Sequence, residues 1–156
     1  MDHRDDAPEI ETLSASQCWE ICRGADFGRL AVIAGDHPEL FPINYVVDHG
    51  TVVFRSAPGT KLDAALAGAP VAFEVDGFDP ASAKAWSVVI KGGAERMASI
   101  EDVLASVLLP LFPWQSGDKN NFVRIVPAEI SGRRFTIAPT ARRRQGLGDT
   151  RRFQVE

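Results

Sequence analysis

Thr51-Val-Val-Phe-Arg-Ser-Ala-Pro-Gly-Thr-Lys61 is the stretch on which the reading of this chain turns. Thr51 to Phe54 is a β-branched and aromatic run, which reads as a strand. It empties into a short polar turn holding Arg55, Ser56, Thr60 and Lys61, with Gly59 to let the backbone bend. Two cations, three hydroxyls counting Thr51, and backbone N–H groups lie near the start of the next helix. A phosphate monoester takes charge-assisted donors, and backbone amides at a helix start suit it as well. The stretch therefore reads as a phosphate clamp for a nucleotide-like cofactor. The competing reading is an ordinary strand–turn–helix carrying surface charges.

Upstream, Leu13-Ser14-Ala-Ser-Gln17-Cys18 has the signature of a helix start. Ser14 is an N-cap, Gln17 stands at the capping-box position, and Leu13 with Cys18 forms a hydrophobic staple. Gly24 is placed to end that helix. Arg29 to Ala34 reads as a strand, Gly35 to Pro38 as a turn, and Glu39 to Val47 as a second strand containing Pro42. A proline inside a strand implies an edge, a bulge or a stretch facing a ligand. Asp48-His49-Gly50 is a hairpin turn.

Downstream, Leu62 to Ala67 reads as a short helix broken by Gly68-Ala-Pro70. Val71 to Val75 is apolar almost throughout, as a strand buried on both faces would be. Asp76 to Lys84 reads as a loop. Ala85 to Met97 is a long strand with a bulge at Gly92-Gly93. Ser99 caps a helix with Ile100, Val103, Leu104, Val107 and Leu108 on one face. Leu111 to Asn121 is irregular, and Phe122 to Ile130 is the last strand, with Gly132 to Thr136 extending or following it. The sum is six strands joined mostly by short turns, with helices at intervals. That pattern favours a mainly β, antiparallel barrel with flanking helices over a doubly wound sheet.

The 156 residues fit one domain with an ordinary globular composition, 45% hydrophobic and 24% charged. The expected organisation is a disordered acidic segment over 1–12, the barrel over 13–138 and a basic tail over 139–156. The net charge of −4 is unevenly spread. Acids crowd the first residues, and Arg142, Arg143, Arg144, Arg151 and Arg152 crowd the last. The tail is short and interrupted by glycines and the body is acidic, so a nucleic-acid partner is not expected. No apolar run approaches the roughly 20 residues of a membrane helix, so no membrane partner is expected either. The N-terminus has no apolar segment, so no signal peptide is expected and the cytoplasm is the expected compartment.

Cys18 and Cys22 lie four apart on one helical face. They read as small buried hydrophobes, because the spacing is not C-x-x-C and no zinc-like His or Cys follows. His3, His37 and His49 fall in a terminus or in turns, so no metal site is expected. The full phosphate-loop motif is missing around Gly59-Thr60-Lys61, and no Gly-x-Gly-x-x-Gly follows a strand. Asp48, His49 and Ser87 do not build a triad, since nothing resembles a nucleophile elbow. No catalytic acid or base is singled out.

Taken in order, the pieces resemble the FMN-binding split β-barrels related to pyridoxamine 5′-phosphate oxidase, and within them the branch with the nitroimidazole-resistance-type flavoproteins. The matching residues are Leu13-Ser14, Gly28-Arg-Leu-Ala31, Pro42-Ile-Asn-Tyr45, Val53-Phe54-Arg55-Ser56-Ala57 and Gly59-Thr60-Lys61-Leu62-Asp63. Val71-Ala-Phe-Glu74, Trp86-Ser-Val-Val89, Gly93-Ala-Glu95 and Ile130-Ser-Gly132-Arg133 follow. The resemblance spans roughly residues 13–135. It implies a six-stranded antiparallel split barrel that dimerises with FMN at the two-fold interface. It also implies Arg55, Ser56, Thr60 and Lys61 at the phosphate, and Pro42, Ile43 and Asn44 along the ring and ribityl chain. Phe54 and Ala57 would flank the site, with Trp86 and Ser87 reaching it from the same or the opposite subunit.

One departure stands out: nitroimidazole-resistance-type proteins commonly have a His where this chain has Arg55. A permanently charged guanidinium does no proton transfer near neutral pH, which favours phosphate binding over nitroimidazole reduction. The resemblance thus points to an FMN-dependent oxidoreductase passing hydride or electrons to a small-molecule substrate. The alternatives are a reductase using the deazaflavin F420, which has a related ring and a ribityl phosphate, and a non-catalytic flavin- or haem-binding protein.

Overall fold

The structure, a computed structural model, describes residues 9–97 and 121–137. The expected helix beginning at Ser99, Trp114, and the basic tail lie outside the described residues. Ser14 caps α1 (Ala15–Gly24): its Oγ accepts from the Gln17 N–H at 3.2 Å, and the Ser14 N–H donates to Gln17 Oε1 at 2.8 Å. This is the capping box read from the sequence. Gly24 is the last helical residue, but the chain leaves through an extended Ala25 (φ −98°), without a left-handed glycine.

Among the described residues, eight strands share one antiparallel sheet, two more than the sequence reading. β1 (Ile10–Thr12) lies in the segment expected to be disordered; it is held because it pairs with the end of β8 (Asn121–Thr136), Ile10 opposite Phe135 and Thr12 opposite Arg133. β2 (Phe27–Ala34) and β3 (His37–Asn44) form a hairpin across Gly35-Asp36, with Gly35 at φ 68° where a type II′ turn needs a glycine. β4 (Val46–Asp48) and β5 (Thr51–Ser56) form another across His49-Gly50, both at positive φ as a type I′ turn requires.

The run expected as one strand over 39–47 is therefore two, and Tyr45 is the break. The sheet order is β3-β2-β6-β7-β8-β5-β4. The strands at its two ends are consecutive in sequence and separated by Tyr45 alone. Tyr45 makes this corner because its side chain is pulled into the core, where its ring packs edge-on against Phe73 (centroids 4.7 Å apart, 71°). Its hydroxyl donates to the Cys22 carbonyl of α1. That carbonyl is one of the last in the helix and has no helical N–H to accept from. Burial pushes the Tyr45 phenol well up, so it remains a donor. Tyr45→Phe leaves the carbonyl unpaired in the core and is expected to lower stability by about 1–3 kcal/mol, measured as a fall in the urea midpoint.

β6 (Val71–Asp79) and β7 (Lys84–Arg96) meet in a tight connection that replaces the expected loop over 76–84. Two local devices shorten it. Asp79 accepts from the Ala81 N–H (3.0 Å) and the Ser82 hydroxyl (2.7 Å), folding the chain after Pro80. Gly77 lies opposite Trp86, whose indole occupies the space a Cβ would need, 2.5 Å away. β8 runs unbroken through Gly132, where a side chain would strike Cys18 Sγ at 2.5 Å, so the glycine lets α1 lie directly on the sheet.

The inner face of the curled sheet holds the core: Leu30, Phe54, Phe73, Ile90 and Ile125 are fully buried, with α1 packed against them. Cys18 and Cys22 are buried free thiols. Burial, with Cys18 as neighbour, pushes Cys22 up to about 12, so it behaves as a hydrophobe. Among the described residues no helix is long and apolar enough to cross a membrane.

Candidate functional site

β3 ends the sheet, so its outer edge has no further strand beside it among the described residues. Pro42, which has no N–H, is tolerated on such an edge. Alternation along β3 sends Ile43 into the core (3% exposed) and turns Pro42 and Asn44 the other way. Ile43 can therefore meet a ligand only through its backbone.

The turn after β5 comes back to this edge. α2 (Thr60–Leu66) begins two residues earlier than the sequence suggested, which puts Thr60 and Lys61 in its first turn. Its apolar side, Leu62, Ala64 and Ala65, is buried, and this fixes which way Lys61 leaves. Lys61 Nζ lies 5.7 Å from the centroid of Phe41, the residue before Pro42. The clamp and the proline-bearing edge, separate in sequence, thus meet at a cation–π contact. At seven residues α2 is too short for its dipole to be counted, so the cations and turn amides carry the electrostatics.

The expected residues are not all brought together. Arg55 stands directly opposite Phe122 on β8, with its guanidinium 5.3 Å from that ring. Ala57 and Thr60 are exposed in the turn. Ser56 is fully buried, its hydroxyl donating to the Ala57 carbonyl at 3.0 Å, and Phe54 is fully buried in the core. Neither side chain faces a surface ligand. Thr51 is drawn to the opposite end of β5, where it donates to the Asp48 carbonyl (2.6 Å) and accepts from Arg124 (2.6 Å). Arg124 also binds Asp48 Oδ2 at 3.0 Å. Burial alone would raise the Asp48 carboxyl, but hydrogen bonds from Arg124 and His49 outweigh it and hold the group below its ordinary value.

Trp86 and Ser87 lie toward the opposite end of β7 from Arg55. Arg55 is in register with Phe122, beside Met97 at the far end of β7. From there to Trp86 is roughly 35 Å of strand at about 3.3 Å per residue. Phe41 and Phe122, the two rings that place the cations, were not singled out from sequence. An isolated Phe in an alternating strand gives no sign of which cation will cross to it.

Behind the edge, Arg29 lies opposite Pro42 and Glu74 and binds Glu74 (3.0 Å) and Asp76 (3.2 Å) through one nitrogen. Burial, then the neighbouring Asp76, raises the Glu74 carboxyl in spite of Arg29.

A curled antiparallel sheet whose end strands meet at one residue, plugged by a helix and edged by a cationic turn, defines the split-barrel class. Residues 14–134 match the model of the pyridoxamine 5′-phosphate oxidase family, and the chain belongs to that family. An uncharacterised Mycobacterium tuberculosis protein, Rv3129, is 39% identical over 100 residues, 64% of this chain and 89% of that one. A crystal structure of a Corynebacterium glutamicum chain is 35% identical with a TM-score of 0.75, over 83% of this chain and all of the other. The FAD binding protein from Mycobacterium smegmatis is 35% identical with a TM-score of 0.70, over 81% and 98% of the two chains.

Proposed function

We propose that this protein binds FMN between the free edge of β3 and the turn after β5, and that it is a flavin-dependent oxidoreductase acting on a small molecule. The reading is carried by the Lys61–Phe41 contact, which sets a cation of the clamp beside Pro42-Ile43-Asn44. Arg55, Thr60 and Lys61 would hold the phosphate as two cations and a hydroxyl. The backbone of Pro42 to Asn44 would take the flavin ring at the strand edge. Ser56 and Phe54 would shape the turn from below. The bound flavin supplies hydride and electron transfer, while the protein supplies position and charge. The residues present fit such a group, since a phosphate dianion and an edge-binding ring need no catalytic side chain.

A homodimer with the cofactor at its interface belongs to the same proposal. Trp86 and Ser87 would reach that cofactor from the same or the partner subunit.

The name of the Mycobacterium smegmatis relative favours a second reading, FAD. FAD shares the ribityl phosphate, so the clamp admits both. Titration of the purified protein with FMN, FAD and F420, followed by flavin absorbance and fluorescence, tests the proposal. Saturable binding tightest for FMN is expected. Preference for FAD or F420 changes the cofactor, and binding of none of the three removes the function.

A further inference from the structure

The ladder between β2 and β6 is short. It runs from Arg29 opposite Glu74 to Ala31 opposite Ala72 and stops there, while β2 continues beside β3 to Ala34. Pro70, the residue before β6, has no N–H with which to carry the ladder on. The sheet forks at this point. In the fork Ala31, Ile33, Pro38, Pro70, Ala72 and Lys91 line an open hollow of about 210 Å³. Its floor is low because the two residues paired at the fork are both alanines. Ile33 is two on from Ala31, and Leu40 is directly opposite Ala31, so both stand on the same face as the hollow. They are 46% and 63% exposed. We propose that this hollow binds the apolar chain of a small aliphatic carboxylic acid, with Lys91 as the anchor for the carboxylate.

Lys91 carries the argument for an acid. It stands directly opposite Glu129 on β8 and diagonal to Glu74 on β6. Neither carboxylate pairs with it. Glu74 is taken by Arg29 at 3.0 Å, and Glu129 makes no ion pair among the described residues. Lys91 lines the hollow instead. Its methylene stem adds apolar wall, and its ammonium stays in water at the rim. An uncompensated cation at the mouth of an apolar hollow matches a chain that ends in an anion.

The apolar half sets the kind of chain. Contiguous exposed apolar surface beside a polar group marks a ligand site. The hollow is smaller than the ~300–1,000 Å³ of drug-sized pockets, which selects an open chain over a ring system. None of its residues belongs to the proposed flavin contacts, so the inference does not rest on the flavin reading.

The test is an amide NMR titration of the whole protein with butyrate, hexanoate and octanoate, beside neutral hexanol. Saturable shifts at Ala31, Ile33, Ala72 and Lys91 are expected with the acids. Affinity should rise about fourfold per added methylene, the effect of burying one, until the hollow is full. Hexanol should bind about twofold to fivefold more weakly than hexanoate, the range of an exposed ion pair, and Lys91→Gln should remove that difference. Ala72→Leu fills the hollow and should abolish the shifts at every chain length, while unchanged dispersion in the rest of the spectrum shows the fold intact. Absence of saturable shifts at these residues overturns the inference. So does affinity independent of chain length, hexanol binding as tightly as hexanoate, or hexanoate binding unaltered in both variants.

Discussion

Gly92→Ala is expected to destabilise the fold by about 3 kcal/mol or more, the upper end for overpacking a filled interior. At the register shift between Lys91 and Gly92, where β7 passes β8, a Cβ on Gly92 would stand 2.0 Å from the Val126 carbonyl oxygen. The obstacle is backbone, so no rotamer change relieves it; two strands must separate. Gly93 next to it has nothing within 4 Å of a Cβ, so Gly93→Ala should be far milder. Urea unfolding of the two variants side by side reads the contrast. Equal effects would mean that the close approach is not what holds this crossing.

Lys61→Ala is expected to weaken flavin binding by about 1.5–3 kcal/mol, or roughly ten- to a hundredfold in Kd. Two losses combine. The phosphate loses a charge-assisted donor, and the contact that draws the turn toward Phe41 disappears. Lys61→Arg should recover part of the affinity through retained charge, and Phe41→Leu should lose part of it with Lys61 intact. Flavin fluorescence titration of the three variants separates these contributions. Unchanged affinity in Lys61→Ala would exclude that side chain from the site.

How much of this was legible in the sequence follows the range of the physics involved. The Ser14–Gln17 capping box and the Asp48-His49-Gly50 turn depend on neighbours within four residues, and the structure has them as read. The strand at Thr51, its polar turn and the helix after it were likewise legible. The break at Tyr45 was not, because the partner that pulls it inward is a carbonyl in α1, far away in the chain. β1 was missed for the same reason: Ile10-Glu-Thr12 among acids has no strand character until β8 offers its edge. The loop expected over 76–84 proved to be mostly strand because Trp86 covers Gly77, a pairing that only the register reveals. For the proposed site, charge type and turn chemistry are what single out Arg55, Thr60 and Lys61. The inward facing of Ser56 and Phe54 depends on the parity of β5 against β8.

The corner at Tyr45 also sets an order of events in folding. β3 and β4 belong to opposite ends of the sheet, so the corner closes only after β2, β6, β7, β8 and β5 have assembled between them. Closure of that kind follows the other non-local pairings. β3 itself is held to β2 by a hairpin, so what closes last is the corner where its end meets β4. A ligand held there stabilises contacts absent from the folding transition state, so it should slow unfolding and leave the refolding rate nearly unchanged. Stopped-flow refolding and unfolding with and without saturating FMN would expose the asymmetry, and a flavin-accelerated refolding limb would place β3 in the folding nucleus instead.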